Sequence, residues 1–256
     1  MVKKGQITAI ILVVVIAVFI IGFLFFARGS IINKLSKTTN VEQQLATQLS
    51  LIEKDIDTCI SKESKQALLQ LAERGGTFTR SNTIKYNGRE VNVLCQNIPG
   101  KEQCMTTPLL TPDVQVELEK QLKTNIEQCI HPEKFTEDSD LTVGQTGLNV
   151  FIQPENVLIS LTYPLTLSKG NVTVKKEDFD QEVNIPLGTL LNVANDILIQ
   201  EATTGNFDPI SYTLLHLNKY TIELKKPYPD KVYTIQNEEL PAYVFSFAVT
   251  GDGRFA

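Results

Sequence analysis

The feature that most limits how this chain can fold is an uninterrupted apolar segment near its amino terminus, residues 7–27. Thr8 is the only polar side chain in this segment, and none of its residues is charged. As a helix the segment would be about 31 Å long, roughly the thickness of the hydrocarbon core of a bilayer. A cleavable secretory signal has an apolar core of only about 7 to 15 residues followed by small residues, whereas this segment ends in the bulky run 23–26. We therefore predict a single transmembrane helix over residues 7–27, in contact with the lipid bilayer.

Charge and cysteine content predict which side of the membrane each end occupies. Residues 1–6 form a short basic tip with Lys3 and Lys4, and removing residues 1–27 leaves 22 basic and 29 acidic residues, a net charge of −7. The four cysteines of that remainder favour an oxidising compartment, where disulfides form and persist. We expect a cytoplasmic amino terminus and an extracytoplasmic domain. The acidic balance argues against a nucleic-acid partner, which would need a clustered basic face.

The residues before the apolar segment resemble a known processing signal. The run KKGQIT at 3–8 is similar to the class III signal of archaeal type IV pilins, and the resemblance implies cleavage between Gly5 and Gln6 by a prepilin-peptidase-like enzyme. Pilins commonly carry an acidic residue at the fifth mature position, where this chain has Ile10. That departure weakens the implication of filament assembly more than the implication of processing.

The rest of the chain resembles a broad group of uncharacterised, membrane-anchored surface proteins from archaea with small genomes. The similarity rests on the short basic start, on a helix with Cys59 that closes on 75–76, and on the stretch 158–185. It implies no known activity and no catalytic residue.

Apolar spacing predicts an α+β domain, helical first and rich in antiparallel sheet later. We expect a stalk at 28–40, a helical lobe with a β-hairpin at 41–135 and a sheet-rich lobe at 136–256, with one large lobe as the alternative. A spacing of three or four residues predicts an amphipathic helix that packs on its own domain or, alternatively, in a coiled coil; its apolar positions are Val41, Leu45, Leu49, Ile52, Ile56 and Ile60.

Turn and helix-terminating residues predict where the other elements begin and end. Asn87-Gly88 predicts a hairpin turn, and Pro112 predicts the start of a second helix with Thr111 as its cap. A third helix is predicted from Leu187 to Leu198, with Gly205 after it. Alternating apolar residues predict strands from Leu141 onward.

The four cysteines allow three disulfide pairings. We prefer Cys59 with Cys129, which lie on equivalent faces of two predicted helices, and Cys95 with Cys104, which would close a small loop. A zinc site is the alternative, but the cysteines lack the close paired spacing that such sites use.

Signals for chemistry are sparse. The chain has no nucleophile elbow, no HExxH and no phosphate-binding glycine loop, so we expect no cofactor and no enzyme, with an envelope hydrolase as the residual alternative. His131 is expected at a helix end and His216 in the core. The acidic residues Asp138, Asp140 and Asp252 lack the terminal glutamate of a calcium loop.

Asn171 begins the sequence Asn-Val-Thr, an acceptor motif for N-glycosylation. Taken together, these features favour a single-pass, membrane-anchored cell-surface protein that acts as a structural or interaction module. Its partners would be other envelope or surface proteins, or further copies of itself. The alternative is a pilin-like subunit that is processed after Gly5 and assembled through its hydrophobic helix.

Overall fold

A computed structural model of the chain describes residues 4–79, 82–98, 104–136, 138–216 and 219–251. Within the first helix, the side chains of residues 4–15, 19 and 22–39 lie outside this description. The helices are α1 (Lys4–Glu73), α2 (Thr111–Cys129), α3 (Leu187–Thr204) and α4 (Pro209–Leu215), and a 3-10 turn covers Pro132–Phe135. The strands are β1 (Thr83–Tyr86), β2 (Arg89–Asn97), β3 (Cys104–Thr106), β4 (Asp140–Val143), β5 (Gly147–Ile152), β6 (Val157–Lys169), β7 (Val172–Val183), β8 (Tyr220–Lys225), β9 (Lys231–Asn237) and β10 (Val244–Val249).

This mixture of helices and antiparallel sheets confirms the predicted α+β class. Among the residues whose placement is described, no helix combines the length and the apolar character needed to cross a membrane. The span predicted at 7–27 falls mostly on residues whose side chains lie outside that description.

The chain divides into two compact units. Unit 1 combines Met1–Ile52, Glu133–Val143 and Leu165–Lys176, and unit 2 combines Glu53–Pro132, Gly144–Pro164 and Glu177–Ala256. These units do not coincide with the lobes predicted at 41–135 and 136–256. The reason is that partners distant in the sequence pair within unit 2, where β2 lies beside β10.

In unit 1, a segment of α1 packs against the paired ends of β4 and β6, and β7 also pairs with β6. β4 pairs with the end of β6, from Asp140 opposite Ser168 to Val143 opposite Leu165. The α1 segment is attached by polar contacts at the ladder's margin, where Ser139 Oγ donates to Gln48 Oε1 at 3.1 Å. Its apolar face is buried, and the buried side chains are Leu45, Leu49, Ile52, Leu165 and Leu167.

Unit 2 contains a larger sheet in the order β1-β2-β10-β9-β8, with β3 also paired to β2. All its described pairings are antiparallel except that of β2 with β10, which sets Ala248 opposite Val93. The turn at Asn87-Gly88 joins β1 to β2 with positive φ at both residues, as the predicted hairpin requires. The sheet's core side chains include Val232, Tyr233, Ile235, Phe245 and Phe247.

The end of α1 depends on a close approach between backbones. Gly75 has a φ of 69°, a left-handed conformation that glycine adopts without a Cβ penalty. A Cβ atom built there would lie 2.9 Å from Ser246 O and 3.0 Å from Phe247 Cβ. The glycine pair predicted to stop this helix therefore also lets the chain pass directly over β10.

Helix α2 contributes one face to the core and a second set of side chains to a sheet edge. Its apolar residues Val114, Leu118, Leu122 and Ile126 are buried. Gln115 Oε1 accepts a hydrogen bond from Ile152 N at 3.1 Å, and Glu119 Oε1 accepts one from Val150 N at 2.9 Å. Both donors belong to β5.

The predicted cap of α2 is wrong by one residue. Thr111 is already the first helical residue, and the N-cap is Leu110, which makes no side-chain hydrogen bond to the helix. Pro112 lies in the first turn, where its missing N–H costs nothing. The proline's own fixed φ therefore starts this helix without help from a capping hydroxyl.

Two disulfides tie unit 2 together. Cys59 of α1 is joined to Cys129 of α2 with a Cα–Cα distance of 6.1 Å, and Cys95 is joined to Cys104 with a distance of 5.5 Å. This is the pairing preferred from the sequence. The first bond crosslinks residues 70 positions apart and the second residues nine positions apart.

The two disulfides should contribute differently to stability, because a crosslink restricts the unfolded chain more when its loop is longer. In that description, replacing Cys59 and Cys129 with alanine lowers the free energy of unfolding by about 4 kcal/mol. The matched Cys95→Ala/Cys104→Ala variant loses about 2.5 kcal/mol. Urea unfolding of both double variants measures the difference, and equal losses would contradict the loop-length explanation.

Candidate interaction surface

Helix α4 begins at an aspartate N-cap followed by a proline. Asp208 is its N-cap, and the Oδ1 atom accepts hydrogen bonds from Ile210 N at 3.1 Å and Ser211 N at 3.3 Å. Asp208 Oδ2 accepts a third from Ser211 Oγ at 2.6 Å. The Ser211 hydroxyl and then the Ser211 N–H hold the pKa of the Asp208 carboxyl below its usual value. Pro209 follows as the first helical residue, so the chain turns into α4 over two residues.

The outer side of α4 is apolar and exposed. Ile210, Leu214 and Leu215 are 74%, 65% and 79% exposed, and no residue of α4 is buried. Ile210 and Leu214 are four positions apart and therefore lie on one face of the helix. On α3, Ile199 is 60% exposed. We call Ile210, Leu214 and Leu215 the α4 surface.

The inner side of α4 is attached to α3. Tyr212 Oη donates to Asp196 Oδ2 at 2.6 Å, and the Tyr212 ring lies 5.3 Å from that of Phe207. Burial, followed by the nearby Asp196 carboxylate, raises the pKa of Tyr212. These contacts fix which face of α4 turns outward.

His216 is not in the core, so its predicted position is wrong. It is exposed, and its ring stacks on that of Tyr212 at 4.0 Å, with Nδ1 2.8 Å from the Tyr212 carbonyl oxygen. The preceding leucines that suggested burial, Leu214 and Leu215, belong to the exposed side of the helix.

A buried ion pair lies near the C-terminal end of α3. Glu201 of α3 is 2% exposed, and Lys231 Nζ of β9 lies 2.6 Å and 2.9 Å from its two carboxylate oxygens. The same ammonium donates to Gly205 O, at the left-handed C-cap of α3, at 2.7 Å. A buried carboxylate is costly unless it is paired and hydrogen-bonded, and this one is both.

A tyrosine completes the cluster. Tyr233 Oη donates to Glu201 Oε1, and the Tyr233 ring makes an edge contact with Phe207 and stacks on Phe247. Burial, then the hydrogen bond to Glu201, raises the pKa of Tyr233. The end of α3 and the start of α4 are therefore held on β9 by charge, hydrogen bonds and ring packing together.

Other residues singled out from the sequence lie apart from this surface. Gly5 and Gln6 are helical, but their side chains lie outside the described part. Asp138 and Asp140 are exposed, and Asp252 lies outside the described residues. Within the described ranges, no group of three His, Cys, Asp or Glu side chains could hold a metal ion. His131 follows Ile130, the C-cap of α2, and Asn171 is exposed in the turn between β6 and β7.

Sequence reasoning missed α4 and its buried support. The dipeptide Asp208-Pro209 is a helix-start signature and could have revealed the helix. No comparable signal exists for the Glu201–Lys231 pair, because the two residues are far apart in the chain and each is ordinary on a protein surface. Comparisons with protein-family models, curated proteins and solved structures found no match to this chain.

Removing the ammonium of the buried pair should be strongly destabilising. Lys231→Met leaves the Glu201 carboxylate buried without its counter-charge, which costs about 3–5 kcal/mol of unfolding free energy. The double variant Glu201→Leu/Lys231→Met should recover most of that loss, because it removes both charges.

Lys225→Met is the matched control, since Lys225 pairs with Glu223 at 3.3 Å on the exposed surface. An exposed pair contributes at most about 1 kcal/mol. The denaturant midpoints of the three variants measure these changes in stability. Similar small losses of unfolding free energy for Lys231→Met and Lys225→Met would contradict the role assigned to the Glu201–Lys231 pair.

Proposed function

We propose that this chain is a single-pass, membrane-anchored cell-surface protein, with a cytoplasmic amino terminus and an extracytoplasmic domain that binds another envelope protein. The domain acts as a structural or interaction module without catalysis. The observation that carries the proposal is the α4 surface, which displays three large apolar side chains on a rigidly supported helix.

The membrane anchor is supported by the sequence and by the exposure of α1. The helix continues without a break from Lys4 to Glu73 and includes the charge-free segment 7–27. Four apolar side chains whose placement is described are at least half exposed, namely Ile16, Val18, Ile20 and Ile21. At 3.6 residues per turn they spread over about 200° of the helix circumference. Apolar side chains left bare over so much of a helix suit contact with lipid.

The extracytoplasmic placement is supported by both disulfides and by charge. Disulfides persist in oxidising compartments and are rare in the cytosol, and all four cysteines of the chain are paired. The acidic residues of the chain after residue 27 give the remainder its negative charge.

A protein partner fits the α4 surface better than a bilayer does. Exposed apolar clusters mark either protein or membrane contacts. A domain with a net charge of −7 is repelled by an anionic membrane surface, so lipid is the less favourable occupant. The partner proposed is another envelope protein with an apolar recess that receives Leu214 and Leu215.

The pilin-like alternative is favoured by one observation. The run at residues 3–8 that is similar to a class III signal overlaps the start of an unbroken 70-residue helix, which would serve filament packing as well as anchoring. The two functions differ in the mature amino terminus, which begins at Gln6 only in the alternative.

Membrane placement can be measured on the full chain in native cells. Ala17 is the midpoint of 7–27 and is exposed, so Ala17→Arg should release protein from carbonate-washed membranes, because a central arginine costs about 2.5–3.5 kcal/mol in insertion. Ala17→Leu is the control and should be retained. An impermeant amine reagent applied to intact cells should label exposed Lys120 and Lys175.

Each of these measurements has an outcome that would contradict the proposal. Retention of Ala17→Arg, or lysines that react only after lysis, would contradict the proposed anchor or topology. The mass of the amino-terminal peptide from the same membranes separates the two functions: loss of residues 1–5 supports the pilin-like subunit, and their retention excludes it.

The α4 surface can be tested by photo-crosslinking in intact cells. A photoreactive residue at Leu214 should give an adduct with one other envelope protein. The same residue at Val116, which is 63% exposed on α2, is the matched control and should give none. An adduct with lipid alone, an adduct with a second copy, or no adduct at Leu214 would contradict the proposed partner.

A further inference from the structure

The turn between β6 and β7 is a two-residue hairpin loop at the surface of unit 1. Gly170 and Asn171 are its central residues, and Gly170 has a φ of 62° whereas Asn171 has a negative φ. A positive φ at the first central glycine is the pattern of a type II′ turn, whose twist suits the flanking strands. The turn therefore presents Asn171 at a defined position.

The side chains of the acceptor motif point to one side of the chain and are accessible. Asn171 and Thr173 are exposed, whereas Val172 and Val174 are half-buried. Residues two positions apart share a side of an extended segment, so the Asn171 amide and the Thr173 hydroxyl lie on the outward side together. A Cβ atom built on Gly170 would meet no heavy atom within 4 Å, so the space beside the turn is open.

Within the described part of the chain, the side chains of Asn171 and Thr173 make no polar contact. Among the described residues, no hydrogen bond, ion pair or ring contact involves the side chain of Asn171 or Thr173. The polar contacts nearest in sequence come from Lys169, whose Nζ lies 3.4 Å from Gln44 Oε1 and 3.9 Å from Asp138 Oδ2. A group attached at Asn171 would thus replace no polar contact between described residues.

We propose that Asn171 is an N-glycosylation site and that the folded domain is itself a substrate for the modification. Asn171-Val172-Thr173 is the only Asn-x-Ser/Thr sequence in the chain, so one glycan is expected per molecule. The proposal rests on the extracytoplasmic placement under Proposed function, because the transferase and its sugar donor act on that side of the membrane.

The reaction is a group transfer without oxidation or reduction. The donor is an oligosaccharide linked through a phosphate ester to a membrane lipid. A bond forms between Asn171 Nδ2 and C1 of the first sugar, while the bond between C1 and the phosphate oxygen breaks. The lipid phosphate leaves with the bonding electron pair, and the amide nitrogen loses one proton to a base of the transferase.

The measurement is the mass of the full chain and of its Asn171 peptide, purified from membranes of the native host. We expect a single mass increase on that peptide. Asn171→Gln and Thr173→Ala should each abolish it, whereas Thr173→Ser keeps the hydroxyl and should retain it. Asn171 and Thr173 are both exposed, so the three variants should fold like the unaltered chain.

Whether modification can follow folding is tested with two chains, the unaltered chain and Thr173→Ala as the control that should stay unmodified. Both are made without sugar donor and folded with both disulfides. They are then incubated with host membranes. Modification of the unaltered chain at a rate similar to that of its reduced, unfolded form supports the folded domain as substrate. A rate at least tenfold lower for the folded chain overturns that part.

The two levels of proposal fail differently. An unmodified Asn171 in protein whose Lys120 and Lys175 react from outside overturns the glycosylation site and leaves the proposed function intact. An unmodified Asn171 in protein whose lysines react only after lysis overturns both.

Discussion

Much of this structure depends on one long helix, α1, whose two parts differ in composition. The first part of α1 is apolar without interruption, and the last part carries a single buried stripe with Ile56, Ile60 and Leu68. An amphipathic stripe is stable only while it stays covered. The Cys59–Cys129 bond supplies that condition in unit 2, because it fixes the stripe of α1 against the corresponding face of α2. The glycine stop at Gly75 then turns the chain over β10.

The buried Glu201–Lys231 pair represents a different kind of constraint. Burying both charges brings little net stability, because desolvation offsets most of their attraction. The pair instead specifies where α3 ends. The Lys231 ammonium reaches both the Glu201 carboxylate and the Gly205 carbonyl only when the C-terminal end of α3 lies at one position over β9. The position of α4, and so of its exposed leucines, follows from that placement.

Local patterns predicted the elements that depend on local physics. The helix stripe of α1, the Asn87-Gly88 turn, the left-handed stop at Gly205 and the cysteine pairing all follow from spacing or from single-residue conformational preference. The middle of strand β7 carries no strand pattern in the sequence, because the residues from Lys175 to Asp178 are all exposed and show no alternation. The division into units could not be read from the sequence, because it depends on β2 lying beside β10.

The α4 surface could not be predicted from the sequence either. An exposed leucine and a buried one are the same letter, so Leu214 looked like the continuation of a core pattern that would also enclose His216. The attachment of Tyr212 to Asp196 and Phe207 decides which side of α4 turns outward. The Tyr212–Asp196 hydrogen bond joins residues of different helices, and nothing in the local sequence specifies it.

The side chains of Gln115 and Glu119 have a consequence for crowded surroundings. The outer rim of a sheet offers unsatisfied amide hydrogens on which a strand of a neighbouring molecule can assemble. Here Val150 and Ile152 have already given theirs to α2. Molecules at high local concentration would therefore find these two amide hydrogens already engaged, which disfavours strand-to-strand association through this part of β5.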